Sequence, residues 1–174
     1  MSSKKLNNLI LAAMFLALCM VLPFLTGQIP QIGSALSPMH IPVLLCGFFA
    51  GPGYAAIVGF IAPLLRFALF GMPPIMPTGI AMCFELATYG LISGLLYKKL
   101  PKKNAYVYVS LIVAMLCGRV VWGLARTVLA GLGKGTFGWA AFIAGGFTKA
   151  IPGIILHIVL IPVIVMALKK YTAK

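Results

Sequence analysis

Long apolar segments make up most of this chain, and its lysines are concentrated where those segments end. The lysines form three clusters: Lys4 and Lys5, then Lys98, Lys99, Lys102 and Lys103, and then Lys169, Lys170 and Lys174. Only 9% of the 174 residues are charged and 62% are hydrophobic, whereas about 25% of the residues of a soluble domain are charged. Such a chain cannot form a surface compatible with water, so we predict an all-α integral membrane protein.

The apolar segments predict about six membrane-spanning helices, since each needs about 20 residues. Five of them are expected at residues 6–25, 54–70, 76–97, 105–130 and 139–168, and a shorter second segment, PMHIPVLLCGFFA, lies between the first two. Pro38 and Pro42 favour a kinked or partly re-entrant form of this second segment. We therefore predict a single transmembrane domain of about six helices over residues 1–174, with no soluble domain.

The lysine clusters also predict the orientation, because cytoplasmic loops carry an excess of Lys and Arg. This rule places both termini and the KKLPKKN loop in the cytoplasm. The loops TGQIPQIGSALS, GMPP and GLGKGTFG then face outwards, and together they hold a single charge, Lys134. We expect no nucleic-acid binding, since these lysines lack interleaved aromatic residues and share no face. Residues 1–25 begin like a signal peptide, but LPFLTGQIP offers no small-residue cleavage site, so we expect a retained first helix.

Glu85 is the only acidic residue of the chain, and it lies in the middle of an apolar segment. An ionised side chain in hydrocarbon normally faces a protein interior or a watered cavity and has a partner there. The predicted topology places four cations in the same outer half of the membrane: Arg66, Arg119, Arg126 and Lys149. Four cations against one carboxylate leave a surplus of three positive charges. We therefore predict an outward-facing pocket for an anionic ligand.

Helical spacing groups several of the candidate residues. Arg119, Trp122 and Arg126 are spaced i, i+3 and i+7, so they share one helix face. Glu85 and Tyr89 are spaced i and i+4 and share a face of another helix. These two faces are the predicted walls of the pocket.

Several of these residues have alternative roles that involve no ligand. Arg66 and Arg126 are close enough to the outer interface to reach lipid headgroups, and Glu85 could form a purely structural salt bridge. His40 lies where the first outer loop enters the second segment, so it could line the rim of the pocket. His157 is a lone histidine on an apolar face, and we interpret it as a packing residue.

The residues needed for catalysis or for using nucleotide energy are absent from the sequence. Gly133, Gly135 and Gly138 match G-x-G-x-x-G, but no strand precedes them, so the pattern lacks the context that would give it meaning. The chain has no Asp, and its four cysteines lie in apolar segments without metal-ligand spacing. We therefore predict no enzyme, no cofactor and no metal site.

A patch of small residues in the first helix and two longer sequence strings indicate how such a protein would work. Ala13 and Ala17, at i and i+4 of the first helix, form a small-residue patch that allows another helix to approach closely. The strings MHIPVLLCGFFAGPGYAAIVGFIAPLL and GMPPIMPTGIAMCFELATYGLISGLLY, together with this patch and the size, give the pattern of a known family. The whole chain resembles the substrate-binding S component of an energy-coupling factor (ECF) vitamin transporter.

The resemblance implies a multi-pass protein of the bacterial plasma membrane that works with partners. In that family a vitamin is held near the outer face by the loops after helices one, three and five and by helices four to six. The alanine patch docks on a membrane coupling subunit, the T component, which two cytoplasmic ATPases drive. By position, Ala13 and Ala17 would be the coupling contact, and the binding helices would carry Glu85, Arg119, Trp122, Arg126 and Lys149.

The identity of the cargo is the least constrained expectation. The MHIP and FELATYG strings look most like pantothenate-type members, with riboflavin, folate or lipoate-like cargo behind pantothenate. Tyr89 and His40 complete the expected substrate-binding set, whereas Arg66 fits the family pattern less well. The alternative is a self-sufficient small-anion channel or secondary carrier.

Overall fold

The computed structural model describes residues 3–26, 29–101, 103–133 and 136–172. Within these ranges the regular structure is helical, with no strand. The α-helices are α1 (Ser3–Val21), α2 (Pro30–Leu36), α3 (His40–Phe49), α4 (Pro52–Phe70), α5 (Ile80–Lys99), α6 (Asn104–Leu132), α7 (Trp139–Gly146) and α8 (Ile151–Thr172). Short 3-10 turns lie at Leu22–Thr26 and Thr148–Ala150, and a wider helical turn at Ile75–Gly79 precedes α5. The all-α prediction is confirmed.

Five stretches of the described chain are long and apolar enough to cross a membrane: Ser3–Thr26, Pro52–Phe70, Ile75–Lys99, Asn104–Leu132 and Trp139–Leu168. They correspond to the five long helices expected from the sequence. The predicted second segment forms α3, which has only 10 residues. At 1.5 Å per residue it spans about 15 Å, half the thickness of the hydrocarbon core. A crossing through α3 therefore stays a prediction.

The ends of α3 and α4 follow from their glycines and prolines. Gly51 has φ +96°, which reverses the chain after α3, and Pro52 then starts α4. Proline suits the first turn of a helix because the amide there needs no helical partner. Gly71, with φ +69°, ends α4 by donating its N–H to the carbonyl of Phe67. Both glycines adopt backbone angles that other residues rarely tolerate.

The last predicted helix is not continuous, which corrects the expectation for residues 139–168. α7 ends at Gly146, Phe147 leaves the helical region with φ −125° and ψ −64°, and the turn Thr148–Ala150 leads into α8. Pro152 lies in the first turn of α8, where the missing N–H does no harm. The break changes the direction of the side chains that a straight helix would have placed at mid-membrane.

α5 is the central helix of the bundle and packs against α3, α4 and α6. Its glycines permit this close packing: a Cβ on Gly90 would lie 2.5 Å from the carbonyl oxygen of Ala55, and one on Gly94 would lie 2.7 Å from the nitrogen of Pro52. α3 is buried from His40 to Phe48, enclosed by α1, α4, α5 and α8. The start of α3 and the middle of α5 are therefore held in the protein interior.

Large apolar side chains remain exposed around the outside of the bundle. Ile10 of α1 is 58% exposed, Leu124 of α6 is 63% exposed and Val159 of α8 is 60% exposed. A soluble protein rarely shows so continuous an apolar exterior. This exterior suits contact with lipid chains, as in a multi-pass membrane protein, whereas His40, Arg66, Glu85 and Arg119 are buried inside the bundle.

Candidate functional site

A cavity of about 330 Å³ lies at the end of the bundle where α4 ends and α5 begins. Sites for small molecules usually have volumes of about 300–1,000 Å³. Two segments expected to be outer loops supply much of its wall, with Thr26 and Ser37 from the first and residues 72–74 from the second. The apolar wall residues are mainly methionines and prolines: Pro23, Pro38, Met39, Met72, Pro73, Pro74 and Met82.

Glu85 lies in the wall of this cavity and is the centre of a polar cluster. Nη1 of Arg119 lies 2.8 Å from Oε1 of Glu85, and the hydroxyl of Tyr89 donates a hydrogen bond of 3.1 Å to the same oxygen. Nε2 of His40 lies 3.6 Å from Oε1, too far for a hydrogen bond. We call these four residues the Glu85 cluster. None of the three contacts involves Oε2, the second oxygen of the carboxylate.

The cluster is buried, so its charges interact strongly. Glu85 is 1% exposed and Arg119 is 8% exposed. A charge-assisted hydrogen bond in such surroundings is about twice as strong as one between neutral groups. His40, Glu85 and Arg119 line the cavity, whereas Tyr89 is fully buried and is not part of the wall.

A glycine explains how α6 brings Arg119 to Glu85. A Cβ on Gly118 would overlap the ring of Tyr89, which packs directly on the backbone of α6 at this point. Because Tyr89 is one turn after Glu85, this packing places the next residue of α6, Arg119, beside the carboxylate. Gly118 was not among the residues singled out from the sequence, since a glycine in a helix shows its role only when its neighbour is known.

Several nitrogens beside the cavity have no hydrogen-bond partner among the described residues. They are Nδ1 and Nε2 of His40, Nε of Arg119 and Nε2 of His157. The two histidine rings are stacked, with centroids 6.0 Å apart, and the ring of His40 meets Tyr89 edge to face at 5.3 Å. Buried polar groups are normally hydrogen-bonded. Two of the residues that carry these unpartnered nitrogens, His40 and Arg119, also line the cavity.

Arg66 is a second arginine in the cavity wall. It is only 4% exposed, and its Nη1 donates a hydrogen bond of 2.8 Å to the carbonyl of Met20. The guanidinium carbon lies 5.5 Å from the ring centre of Phe24 and 5.1 Å from that of Phe70. A side chain that reaches for lipid headgroups would be exposed, so this burial does not fit the headgroup alternative. The sequence could not separate contact with headgroups from contact with the cavity, because both require the same depth of Arg66 in the membrane.

Trp122 and Arg126 lie together, as their spacing on α6 predicts. Trp122 lines the cavity. Arg126 is outside the wall, but its Nη1 lies 3.4 Å from Oγ1 of Thr78, a wall residue. Its guanidinium also lies 5.9 Å from the ring of Trp122 and 5.2 Å from that of Phe137. Arg126 therefore supports the wall from behind.

Lys149 does not join the cavity. It lies in the 3-10 turn between α7 and α8, where it is exposed, and it is not a wall residue. The interruption at Phe147 is the physical reason, because it turns Lys149 away from the direction that a continuous helix would have given it. The wall therefore holds Arg66 and Arg119 against Glu85, a surplus of one positive charge where the sequence had suggested three.

The two alanines of α1 lie on the outside of the bundle. Ala13 and Ala17 are exposed, whereas Ala12 and Phe15 are buried against the core. Their position leaves a shallow strip of small side chains open to another helix. As for metals, no three His, Cys, Asp or Glu side chains of the described chain lie together as a metal site would need.

The family model for "ECF transporter, substrate-specific component" matches residues 7–165, nearly the whole chain. No curated protein and no solved structure matches the chain significantly.

Proposed function

The chain belongs to the family of substrate-specific components of ECF transporters, and from this we propose that its cavity captures a small anionic vitamin at the outer face of the membrane. Members of this family are transport-binding subunits and not enzymes, so the cavity is a site for binding and not for catalysis. The observation that carries the proposal is the composition of the wall. Two buried arginines and one carboxylate leave a net positive charge in a cavity of small-molecule size.

The orientation of the chain supports capture from outside. α5 begins beside the cavity, where Met82 and Glu85 are wall residues, and it ends at Lys98 and Lys99. Since lysines mark the cytoplasmic side, the cavity belongs to the outer side. The proposed topology has about six crossings, with α3 as the short second one and both termini in the cytoplasm.

Pantothenate is the favoured cargo. It carries a carboxylate, which suits the positive wall, and hydroxyl and amide groups, which suit the carboxylate and the free nitrogens of the Glu85 cluster. Its branched methyl groups suit the methionine and proline surface. The MHIP and FELATYG strings, which form the start of α3 and the middle of α5, point to the same type of member.

Transport would depend on partners. We propose that a T component docks on the exposed strip of Ala13 and Ala17, and that two cytoplasmic ATPases supply the energy. An open strip of small residues is what close helix approach requires in a membrane.

Calorimetric titration of the purified full chain with pantothenate, riboflavin, folate and lipoate tests the cargo. We expect saturable binding of pantothenate that is tighter than binding of the others. No response to any anionic vitamin would contradict the proposal.

Uptake into vesicles tests the need for partners. Vesicles that hold this chain alone should bind the vitamin without accumulating or equilibrating it. Unassisted uptake would instead favour the self-sufficient channel or carrier.

A further inference from the structure

We infer that Arg66, and not Arg119, binds the carboxylate of the cargo, and so determines the specificity of the cavity for acids. This inference rests on the proposed function, because it assumes that an anionic molecule occupies the cavity. It reverses the order that the sequence suggested, in which Arg119 was a leading candidate and Arg66 fitted poorly.

The charge of Arg119 is already balanced. Its Nη1 lies 2.8 Å from Oε1 of Glu85, and the side chains are 10% and 2% exposed. A buried ion pair this close is nearly neutral as a unit. A carboxylate that approached Arg119 would be repelled by Glu85 as well as attracted by Arg119. A second anion beside Glu85 is therefore unfavourable.

The charge of Arg66 has no such balance. Glu85 is the only acidic side chain in the chain, and it is engaged by Arg119. Among the described residues, the contacts of Arg66 are with neutral groups: the carbonyl of Met20 and the rings of Phe24 and Phe70. A buried cation without a counter-ion is costly in a membrane. An anion that enters the cavity removes this cost at Arg66 and nowhere else in the wall.

The neighbours of Arg66 also fix the position of its guanidinium group within the cavity wall. The rings of Phe24 and Phe70 meet edge to face at 5.1 Å and 85°, and the guanidinium carbon is within 5.5 Å of both centres. The bond to Met20 occupies one of the five N–H donors that a guanidinium carries. A fork held in this way loses little freedom when it takes a carboxylate with two parallel hydrogen bonds.

This division assigns the two polar parts of the wall to different parts of the cargo. Arg66 on α4 takes the acid, while the Glu85 cluster, on α3, α5 and α6, takes hydroxyl or amide groups. The substrate class is therefore a small carboxylic acid that also carries hydrogen-bond donors, and not a neutral or cationic vitamin.

The experiment compares each acid with a neutral analogue of nearly the same shape. Pantothenate is paired with pantothenol and lipoate with lipoamide, and both pairs are titrated calorimetrically into the full chain in detergent. Whichever acid the unaltered protein binds should bind about 10- to 100-fold more tightly than its neutral analogue. A hydrogen bond between charged groups contributes a free energy that corresponds to about this ratio of affinities. Arg66→Met should remove this preference, so that acid and analogue bind alike.

Two further variants make the result interpretable. Arg66→Lys keeps the charge but loses the fork, so the preference should persist at lower affinity. Lys98→Met removes the same formal charge at the exposed end of α5, away from the cavity, and the preference should stay as in the unaltered protein. Thermal unfolding of each variant checks that it folds. Should Arg66→Met not fold, loss of the preference in Arg66→Gln would carry the same conclusion.

The outcomes separate this inference from the proposed function. If neither acid binds the unaltered protein, the proposed capture of an anionic vitamin fails and the inference fails with it. If an acid binds but Arg66→Met keeps the preference, or if acid and analogue bind equally from the start, the vitamin proposal survives and Arg66 is not the acid contact.

Discussion

Oε1 of Glu85 lies 2.8 Å from Nη1 of Arg119, so the only acidic side chain of the protein neutralises a cation on the neighbouring helix. The pair lies in the cavity wall, where Tyr89 supports the carboxylate from the protein side. Glu85 thus joins α5 to α6 and offers its cavity side to a ligand. A structural and a binding role are combined in one residue, and they can be separated by experiment.

Replacing Glu85 by Gln should affect both stability and binding. The change leaves Arg119 as an uncompensated buried cation, which we expect to destabilise the fold by about 3–5 kcal/mol. Affinity for the neutral analogue pantothenol should fall about tenfold, because a charged hydrogen-bond acceptor is lost from the wall. Thermal unfolding and calorimetry measure the two effects. Unchanged vitamin affinity and specificity would mean that Glu85 is a purely structural salt bridge.

The double variant Glu85→Gln/Arg119→Met provides the control for this interpretation. Removing both charges eliminates the unpaired cation, so stability should recover in part. The single variant Arg119→Met completes the comparison. If the double variant loses as much stability as the two single variants added together, the two sites are independent.

Replacing Tyr89 by Phe should destabilise the protein through the loss of one hydrogen bond. The hydroxyl donates to Glu85 at 3.1 Å and is fully buried, so we expect a cost of about 1–3 kcal/mol in the free energy of unfolding. Tyr54→Phe is the matched control. Its hydroxyl lies 3.4 Å from the carbonyl oxygen of Lys5 in an exposed position, and its loss should cost less than about 0.5 kcal/mol. If the two changes lower the free energy of unfolding equally, the buried bond from Tyr89 to Glu85 contributes no more stability than an exposed one.

Replacing Gly118 by Ala should disturb the Glu85 cluster without touching any charged group. The added methyl group would overlap the ring of Tyr89, which must move and draw Glu85 away from Arg119. Overpacking of this kind costs about 1–3 kcal/mol, and vitamin affinity should fall at the same time. Thermal unfolding and titration report both.

Gly131→Ala is the control on the same helix. A Cβ at Gly131 would meet nothing within 4 Å, and alanine favours a helix over glycine by up to about 1 kcal/mol. We expect unchanged binding and equal or higher stability. A Gly118→Ala protein that behaves like Gly131→Ala would show that the ring of Tyr89 is not held against α6.

The sequence predicted most of the fold because the apolar segments and lysine clusters are local signals. It also predicted that Arg119, Trp122 and Arg126 share a face, since helical spacing requires nothing beyond the helix itself. Two features of the fold depend on more than spacing. The length of α3 is set by turns on both sides of it, and the break at Phe147 leaves Lys149 outside the cavity.

The site was harder to predict because its contacts join different helices. Helical spacing relates Glu85 to Tyr89, but it does not say which of several arginines will meet Glu85 across the bundle. Arg66 could not be assigned either, since a cation at its depth can face lipid headgroups or a cavity. Its two aromatic neighbours, Phe24 and Phe70, are 46 positions apart and come together only in the folded chain.

A tryptophan in place of Ala13 or Ala17 should abolish uptake and leave vitamin binding intact. Both alanines are exposed on α1 and lie outside the cavity wall, so a large side chain there obstructs only a partner helix. Val159→Trp on α8, at a position that is 60% exposed, is the matched control and should transport normally. Uptake by cells with the complete transporter, beside calorimetry on the purified chain, measures the two properties separately. Normal uptake by both alanine variants would mean that the coupling subunit docks elsewhere, and loss of binding would mean that the substitutions act on the fold.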